Sequence, residues 1–209
     1  MIDTAVEPSN PPPAQMPSRP AAQVGASPAA VPTHGPADVT PVLAARDARV
    51  ERQRELAREF VIDAAESAGS ATTPAALASL TLVVPGPDKN PAWAVEVFDA
   101  AVRCTIDAVG AENARHVETH ETIAGPQGYL VLAGPPHAVK RRLVEVEDTH
   151  PWGRLFDLDV VIDGVPVSRA EIGAPPRRCL VCDGPAAPCA RSRAHDLPTL
   201  ASAIAEVLA

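Results

Sequence analysis

Proline divides this chain in two, because each proline fixes φ and removes a backbone donor. Of the 24 prolines in 209 residues, ten fall within residues 1–41, a stretch with no aromatic residue. Its Ala, Ser and Gly cannot bury enough apolar surface to offset ordering entropy, so residues 1–40 are expected to form a disordered Pro/Ala-rich tail. A partner-docking Pro-rich arm is the competing reading, with no specific motif behind it. The other fourteen prolines punctuate residues 74–198 singly or in pairs. About 170 residues therefore remain for one domain with a real core, taken as residues 41–209.

Thr40-Pro41 reads as a cap followed by proline at the first helical position. From Leu43 to Ala65 apolar residues recur at sevenfold spacing (Leu43, Val50, Ala57, Ala64), with Leu56 and Phe60 beside them. Five arginines alternate with four acidic residues between Arg46 and Glu59. The pattern is a helix with a thin apolar stripe and a charged outer face. Residues 66–78 read as a linker, and Ser79–Val84 as a strand closed by Pro85-Gly86-Pro87. Asn90-Pro91 then caps a helix with Phe98, Val102, Ile106 and Val109 inward and Gly110 ending it. Val117–Ile123 and Tyr129–Ala133 form a hairpin turned by Gly125-Pro126-Gln127-Gly128. Pro135-Pro136 opens another helix, with Val139, Leu143 and Val146 on one face. Arg154–Ile162 is a strand, and Asp163-Gly164 turns it into Val165–Ser168. The expected class is α+β: a ferredoxin-like βαββαβ core with an extra hairpin strand, an N-terminal charged helix, and a C-terminal Cys/His knuckle plus helix.

Several classes drop out. No run of 18 apolar residues exists, so no membrane span is expected. The N-terminus lacks the basic start and apolar run of a secretory signal, and the expected location is the cytoplasm. A formal charge of −8 argues against a nucleic-acid binder. The phosphate-loop, dinucleotide-fold, nucleophile-elbow and H-E-x-x-H motifs are all missing.

Three constellations carry chemistry. In "HPWGRLFDLDV" (His150–Val160), Asp157 and Asp159 stand two apart on a strand and project to one face. Two close carboxylates repel unless a cation sits between them, and hard oxygen ligands suit Mg²⁺ with substrate phosphates. The competing reading has one Asp capping a loop and the other solvated. Secondly, Lys140 to Arg193 holds nine basic against eight acidic residues, whereas the rest of the chain holds nine against eighteen. Guanidinium groups clamp phosphate bidentately, so a polyphosphate site and ordinary surface pairing both fit. Thirdly, Cys179, Cys182, Cys189 and His195 follow the spacing C-x2-C-x6-C-x5-H. In a reducing compartment that spacing suits a structural Cys₃His zinc site better than a disulfide, with unliganded thiols as the alternative. Cys104 falls in a helical pattern as a small hydrophobe. His150 abuts the carboxylate strand and is either a general base or the cap of the preceding helix.

The motifs "HPWGRLFDLDV", Ser168-Arg169, "PPRRCLVC" (Pro175–Cys182) and "CARSRAH" (Cys189–His195) together resemble the apo-citrate lyase phosphoribosyl-dephospho-CoA transferases, also called holo-citrate lyase acyl-carrier-protein synthases. "ARDARVERQ" (Ala45–Gln53), "PGPDK" (Pro85–Lys89) and "GPQGY" (Gly125–Tyr129) extend the resemblance over about residues 41–205; the tail has no counterpart. Trp152 stands where the family commonly has an aliphatic residue.

The resemblance implies an enzyme that transfers the 2′-(5″-triphosphoribosyl)-3′-dephospho-CoA group to a serine of the citrate lyase acyl carrier (gamma) subunit and releases pyrophosphate. The expected partners are that carrier protein and triphosphoribosyl-dephospho-CoA, with neither nucleic acid nor membrane. By role, Asp157 and Asp159 hold Mg²⁺, while Arg154, Arg177 and Arg178 stabilise pyrophosphate. Lys89 and Arg46 are more distant substrate-binding candidates, and His150 is the candidate base. The acidic carrier would dock near Lys140–Arg142. Two other readings stay open: a non-catalytic zinc-knuckle module that binds a carrier, and a nucleotidyltransferase for a malonate-decarboxylase-type carrier.

Overall fold

A computed structural model describes residues 40–61 and 74–209; all of the expected tail but Thr40, and most of the expected linker, lie outside them. Helix α1 spans Thr40–Leu56 and continues as a π-helical turn, Ala57–Val61. Strand β1 (Ala75–Leu82) leads to α2 (Ala94–Val109), β2 (Ala114–Thr122), β3 (Gly125–Ala133) and α3 (Pro136–Thr149). A 3₁₀ turn at Gly153–Leu155 precedes β4 (Phe156–Ile162) and the short β5 (Val165–Pro166). Two further helices, α4 (Ala186–Ser192) and α5 (Leu197–Leu208), follow.

The protein is α+β. Its five strands form one sheet in the order β2-β3-β1-β4-β5, with every neighbouring pair antiparallel. Strand alternation then decides which side chains meet which layer. Leu80, Leu130, Leu132, Phe156 and Leu158 point to one face, where they pack with Val97 and Phe98 of α2 and Val139 and Leu143 of α3. The opposite face carries a smaller cluster, in which Leu56 of α1 is buried with Leu77, Tyr129 and Val131.

Several boundaries differ from the sequence expectation. The linker reading ends too late: Ala75–Ala78 already belong to β1, although alanine has little β propensity. β1 is a central strand with neighbours on both sides, and its small buried side chains leave room for helices over the face. The β2–β3 turn is Ile123-Ala124, and Gly125–Gly128 are strand. Pro126 is tolerated because β1 pairs with β3 only as far as Gly128, leaving Pro126 on a one-sided stretch. Arg154 lies in the 3₁₀ turn rather than in β4. Asn90 does not cap α2; its amide donates to the Thr122 carbonyl. On α2 Phe98 and Val109 are buried as expected, together with Ala94, Val97, Ala100, Ala101 and Thr105, while Val102 and Ile106 lie at the flank.

Of the sevenfold stripe, Leu43 is 51 % exposed and Val50 37 %, Ala57 packs at the edge of the small cluster, and Ala64 lies outside the described residues. Arg49, Arg52, Gln53, Leu56 and Phe60 form the sheet-facing side instead. The Asp163-Gly164 turn is as expected. Both residues have positive φ (50° and 78°), the conformation that a tight two-residue hairpin requires and that glycine adopts without strain.

Candidate active site: paired carboxylates, an arginine pocket and a Cys/His knuckle

The register of β4 puts Asp159 opposite Ser79 and Asp157 opposite Thr81, so both carboxylates project onto the face shared with α1. Thr81 Oγ1 donates to Asp157 Oδ2 at 3.0 Å, and Gln53 of α1 donates to Ser79 Oγ at 2.8 Å. On neighbouring β3 the buried Tyr129 hydroxyl donates to Gln127 Oε1. Beside the small apolar cluster around Leu56, this face thus carries a polar platform. Each carboxylate has a cation: Lys140 Nζ lies 3.0 Å from Asp159 Oδ1, and Arg177 Nη1 lies 3.5 Å from Asp157 Oδ1. Lys140 is buried and also donates to the Leu158 carbonyl, so it cannot serve the carrier-docking patch expected at Lys140–Arg142. The carboxylates themselves stay open, Asp157 45 % and Asp159 40 % exposed. Two exposed hard-oxygen donors on one rigid strand fit Mg²⁺ bound together with substrate phosphates.

Arg177 joins this platform to a second feature. Its Nη2 donates to the carbonyls of Gly153, Arg154 and Phe156, and its Nη1 lies 3.7 Å from Glu147 Oε1. Beyond it opens a pocket of about 290 Å³ whose wall includes Arg154, Arg169, Arg177 and Arg178, with Glu147 and Asp148 between them. Arg169 is committed to those two acids, at 2.6 Å and 2.9 Å. Glu147 is buried and also receives the Leu158 N–H at 2.9 Å. Arg154 Nη2 donates to the carbonyls of Arg178 and Cys179, while its buried Nε lacks any hydrogen-bond partner among the described residues. Burial, reinforced by the Arg177 charge, lowers the Arg154 pKa, as expected for a cation short of an anion.

The knuckle stands next to that wall. Ligand atoms of Cys179, Cys182, Cys189 and His195 all lie within 4.8 Å of one another, and the Cys182 and Cys189 sulfurs are 3.7 Å apart. Tetrahedral zinc with ordinary Zn–S bonds would put sulfurs about 3.8 Å apart. Burial opposes ionisation of Cys179, yet the N–H groups of Cys182 and Val181 and the neighbouring thiols bring it down to about 6. Cys182 beside it pushes Cys189 up to about 11. The three thiols and a buried His195 Nε2 that has no hydrogen-bond partner among the described residues form a donor set that can hold a metal ion.

The remaining sequence candidates lie elsewhere. His150 is stacked on Phe156, on the helix-packed face, and its Nδ1 accepts the Trp152 N–H; its bonding is that of the helix cap. Burial lowers its pKa. Lys89 donates to the Val84 carbonyl, and burial together with nearby Arg46 lowers its pKa, so these two stand with each other rather than in the arginine pocket. Sequence reading missed Glu147 and Glu118 and assigned Lys140 to the docking patch. Lys140 and Glu147 were legible as polar residues seven apart on the inner face of α3. Glu118 was not legible, because its partners Arg52, His116 and His120 come together only through the β2 side-chain alternation and the packing of α1.

Fold and site thus define an α+β protein with exposed paired carboxylates, an arginine-walled pocket and a metal-competent Cys₃His knuckle. The family model described as apo-citrate lyase phosphoribosyl-dephospho-CoA transferase matches residues 37–209. Proteins of that name from Shigella boydii serotype 18 and Escherichia coli O157:H7 are each 32% identical over 172 residues, 80% of this chain and 86% of the relative. A "probable" one from Escherichia coli strain 55989 aligns equally. The chain belongs to the apo-citrate lyase phosphoribosyl-dephospho-CoA transferase family, a family of transferase enzymes. No helix among the described residues is long and apolar enough to cross a membrane.

Proposed function

We propose that this protein is a nucleotidyltransferase that attaches the triphosphoribosyl-dephospho-CoA prosthetic group to a serine of the citrate lyase acyl carrier protein, in the cytoplasm. The serine hydroxyl attacks phosphorus, a phosphodiester forms, pyrophosphate leaves, and the hydroxyl proton passes to solvent or a base. The observation that carries the reading is Arg177, whose guanidinium touches Asp157 on one side and walls the arginine pocket on the other. That geometry suits a triphosphate laid from the carboxylates into the pocket. Asp157 and Asp159 would hold Mg²⁺, which supplies charge neutralisation at the reacting phosphates. Arg177, Arg178 and Arg154 would receive the leaving pyrophosphate, an anion matched to guanidinium donors. Lys89 and Arg46 would meet a more distant part of the substrate. His150 acts by packing, holding the turn that carries Arg154.

The strand order β2-β3-β1-β4 supports a ferredoxin-like core within a transferase domain at 41–209, with 179–195 as a structural zinc knuckle. Pyrophosphate release in the presence of apo-carrier, precursor and Mg²⁺ tests the assignment. Wild type should release pyrophosphate only when carrier is present, and Arg178→Ala should slow it at least tenfold. Carrier binding without release would leave a non-catalytic module instead.

A further inference from the structure

We infer that metal in the Cys₃His knuckle holds the arginine pocket in its binding shape, so that pyrophosphate affinity depends on a metal ion that never touches pyrophosphate. The inference rests on the pocket assignment above and adds what positions its arginines. Arg177 and Arg178 immediately precede the first ligand. The Arg177 carbonyl accepts the Ala186 N–H at 2.7 Å, Arg178 bridges Pro185, and the Cys179 N–H donates to the Gly184 carbonyl at 2.8 Å. The two arginines are therefore one leg of the knuckle hairpin. The pocket side is tied to the same leg, since Arg154 donates to the carbonyls of Arg178 and of the ligand Cys179 itself.

The arginine leg is held by Arg177 and Arg154 at the Gly153–Phe156 turn and by Leu180 against the main core, whereas the returning side of the hairpin is held far less. Helix α4, which supplies Cys189, buries no residue, and no side chain caps its N-terminus at Pro185. A short segment without an apolar core is ordered when a metal crosslinks it. The fourth ligand, His195, presents a buried Nε2 with no hydrogen-bond partner among the described residues. Immediately after it, Asp196 caps α5 by accepting the Thr199 N–H, and Ile204 of α5 is buried in the main core. The metal would thus connect the arginine leg to a firmly seated helix.

The test compares zinc-loaded full-length protein, the same protein stripped by chelator and freed of it, stripped protein with zinc restored, and Cys182→Ser. Zinc per chain, pyrophosphate affinity by titration calorimetry with Mg²⁺ present, and amide exchange at Cys179 and Ala186 are read together. The loaded protein should contain about one zinc per chain. Stripping should weaken pyrophosphate binding at least tenfold and release both amides to fast exchange, and restored zinc should reverse both changes. The Cys182 side chain lies outside the pocket, and its variant should behave as the stripped protein does. Unchanged pyrophosphate affinity and protected amides in zinc-free protein would overturn the inference and leave the pocket assignment standing. A loaded protein that binds no pyrophosphate would overturn the pocket assignment, and this dependence with it.

Discussion

The ammonium group of Lys140 is buried, and it is tolerated there because the Leu158 carbonyl and Asp159 receive it. Asp157 leaves no buried cation unpaired: its partners are the Thr81 hydroxyl and Arg177, which is 21 % exposed and also faces Glu147. Two aspartates that look equivalent in sequence thus differ in what their loss does. Asp159→Asn should destabilise the fold by about 1–3 kcal/mol, because it weakens the pairing of a buried cation. Asp157→Asn should leave the melting temperature near wild type and still abolish carrier modification. Thermal melts beside transfer assays check this, and equal destabilisation by both variants would contradict it. Glu118 offers a pH test. Arg52 chiefly, with His120 and His116, holds its pKa at about 2 against an ordinary 4.5. A carboxylate with a depressed folded value contributes stability that is complete above the ordinary value and disappears as pH falls through the folded one. Stability should therefore drop from about pH 4.5 toward 2, and Glu118→Gln should flatten that slope in urea titrations at fixed pH. An identical slope in the variant would remove Glu118 as its source.

At the scale of elements, the helices over the main core were readable because apolar periodicity and burial agree. Val139, Leu143 and Val146 of α3 are buried as their spacing predicts. The pattern misled on α1, where the chain satisfies two demands at once. Its sheet-facing side reads Arg49, Arg52, Gln53, Leu56 and Phe60 because the surface beneath it mixes polar partners with a small apolar cluster, and a mixed interface leaves no regular hydrophobic period to find. Gly153 shows a different kind of illegibility. A Cβ there would run into the backbone carbonyls of Glu147 and Val146, the latter at 2.9 Å, so the turn between α3 and β4 closes only on glycine. In sequence it looks like any loop glycine. Gly153→Ala should destabilise by about 1–3 kcal/mol through displaced backbone. Because Arg154 and Asp157 follow directly, transfer activity should fall even at temperatures where the variant is folded. Wild-type activity and melting would show that the turn has slack.

Across the whole molecule, function was more legible than geometry. The local excess of cations between Lys140 and Arg193, the D-x-D strand and the Cys/His spacing are one-dimensional signals, and the fold joins them through Arg177, which touches Asp157, walls the pocket and precedes Cys179 by two residues; Arg142 instead bonds the Ala108 carbonyl. Their division of labour was not legible, because it depends on which guanidinium is already spent. Arg169 is neutralised by Glu147 and Asp148, whereas Arg154 keeps a buried Nε without a hydrogen-bond partner among the described residues. Only folded contacts separate a structural arginine from one available to substrate. The central claim is transfer to a carrier serine, and intact-protein mass spectrometry of the carrier tests it most directly. Apo-citrate lyase acyl carrier protein incubated with this protein, triphosphoribosyl-dephospho-CoA and Mg²⁺ should gain the mass of the precursor less pyrophosphate, and a Ser-to-Ala carrier should gain nothing. An unmodified citrate lyase carrier beside folded, zinc-loaded protein, or modification of a malonate-decarboxylase-type carrier alone, would contradict the account.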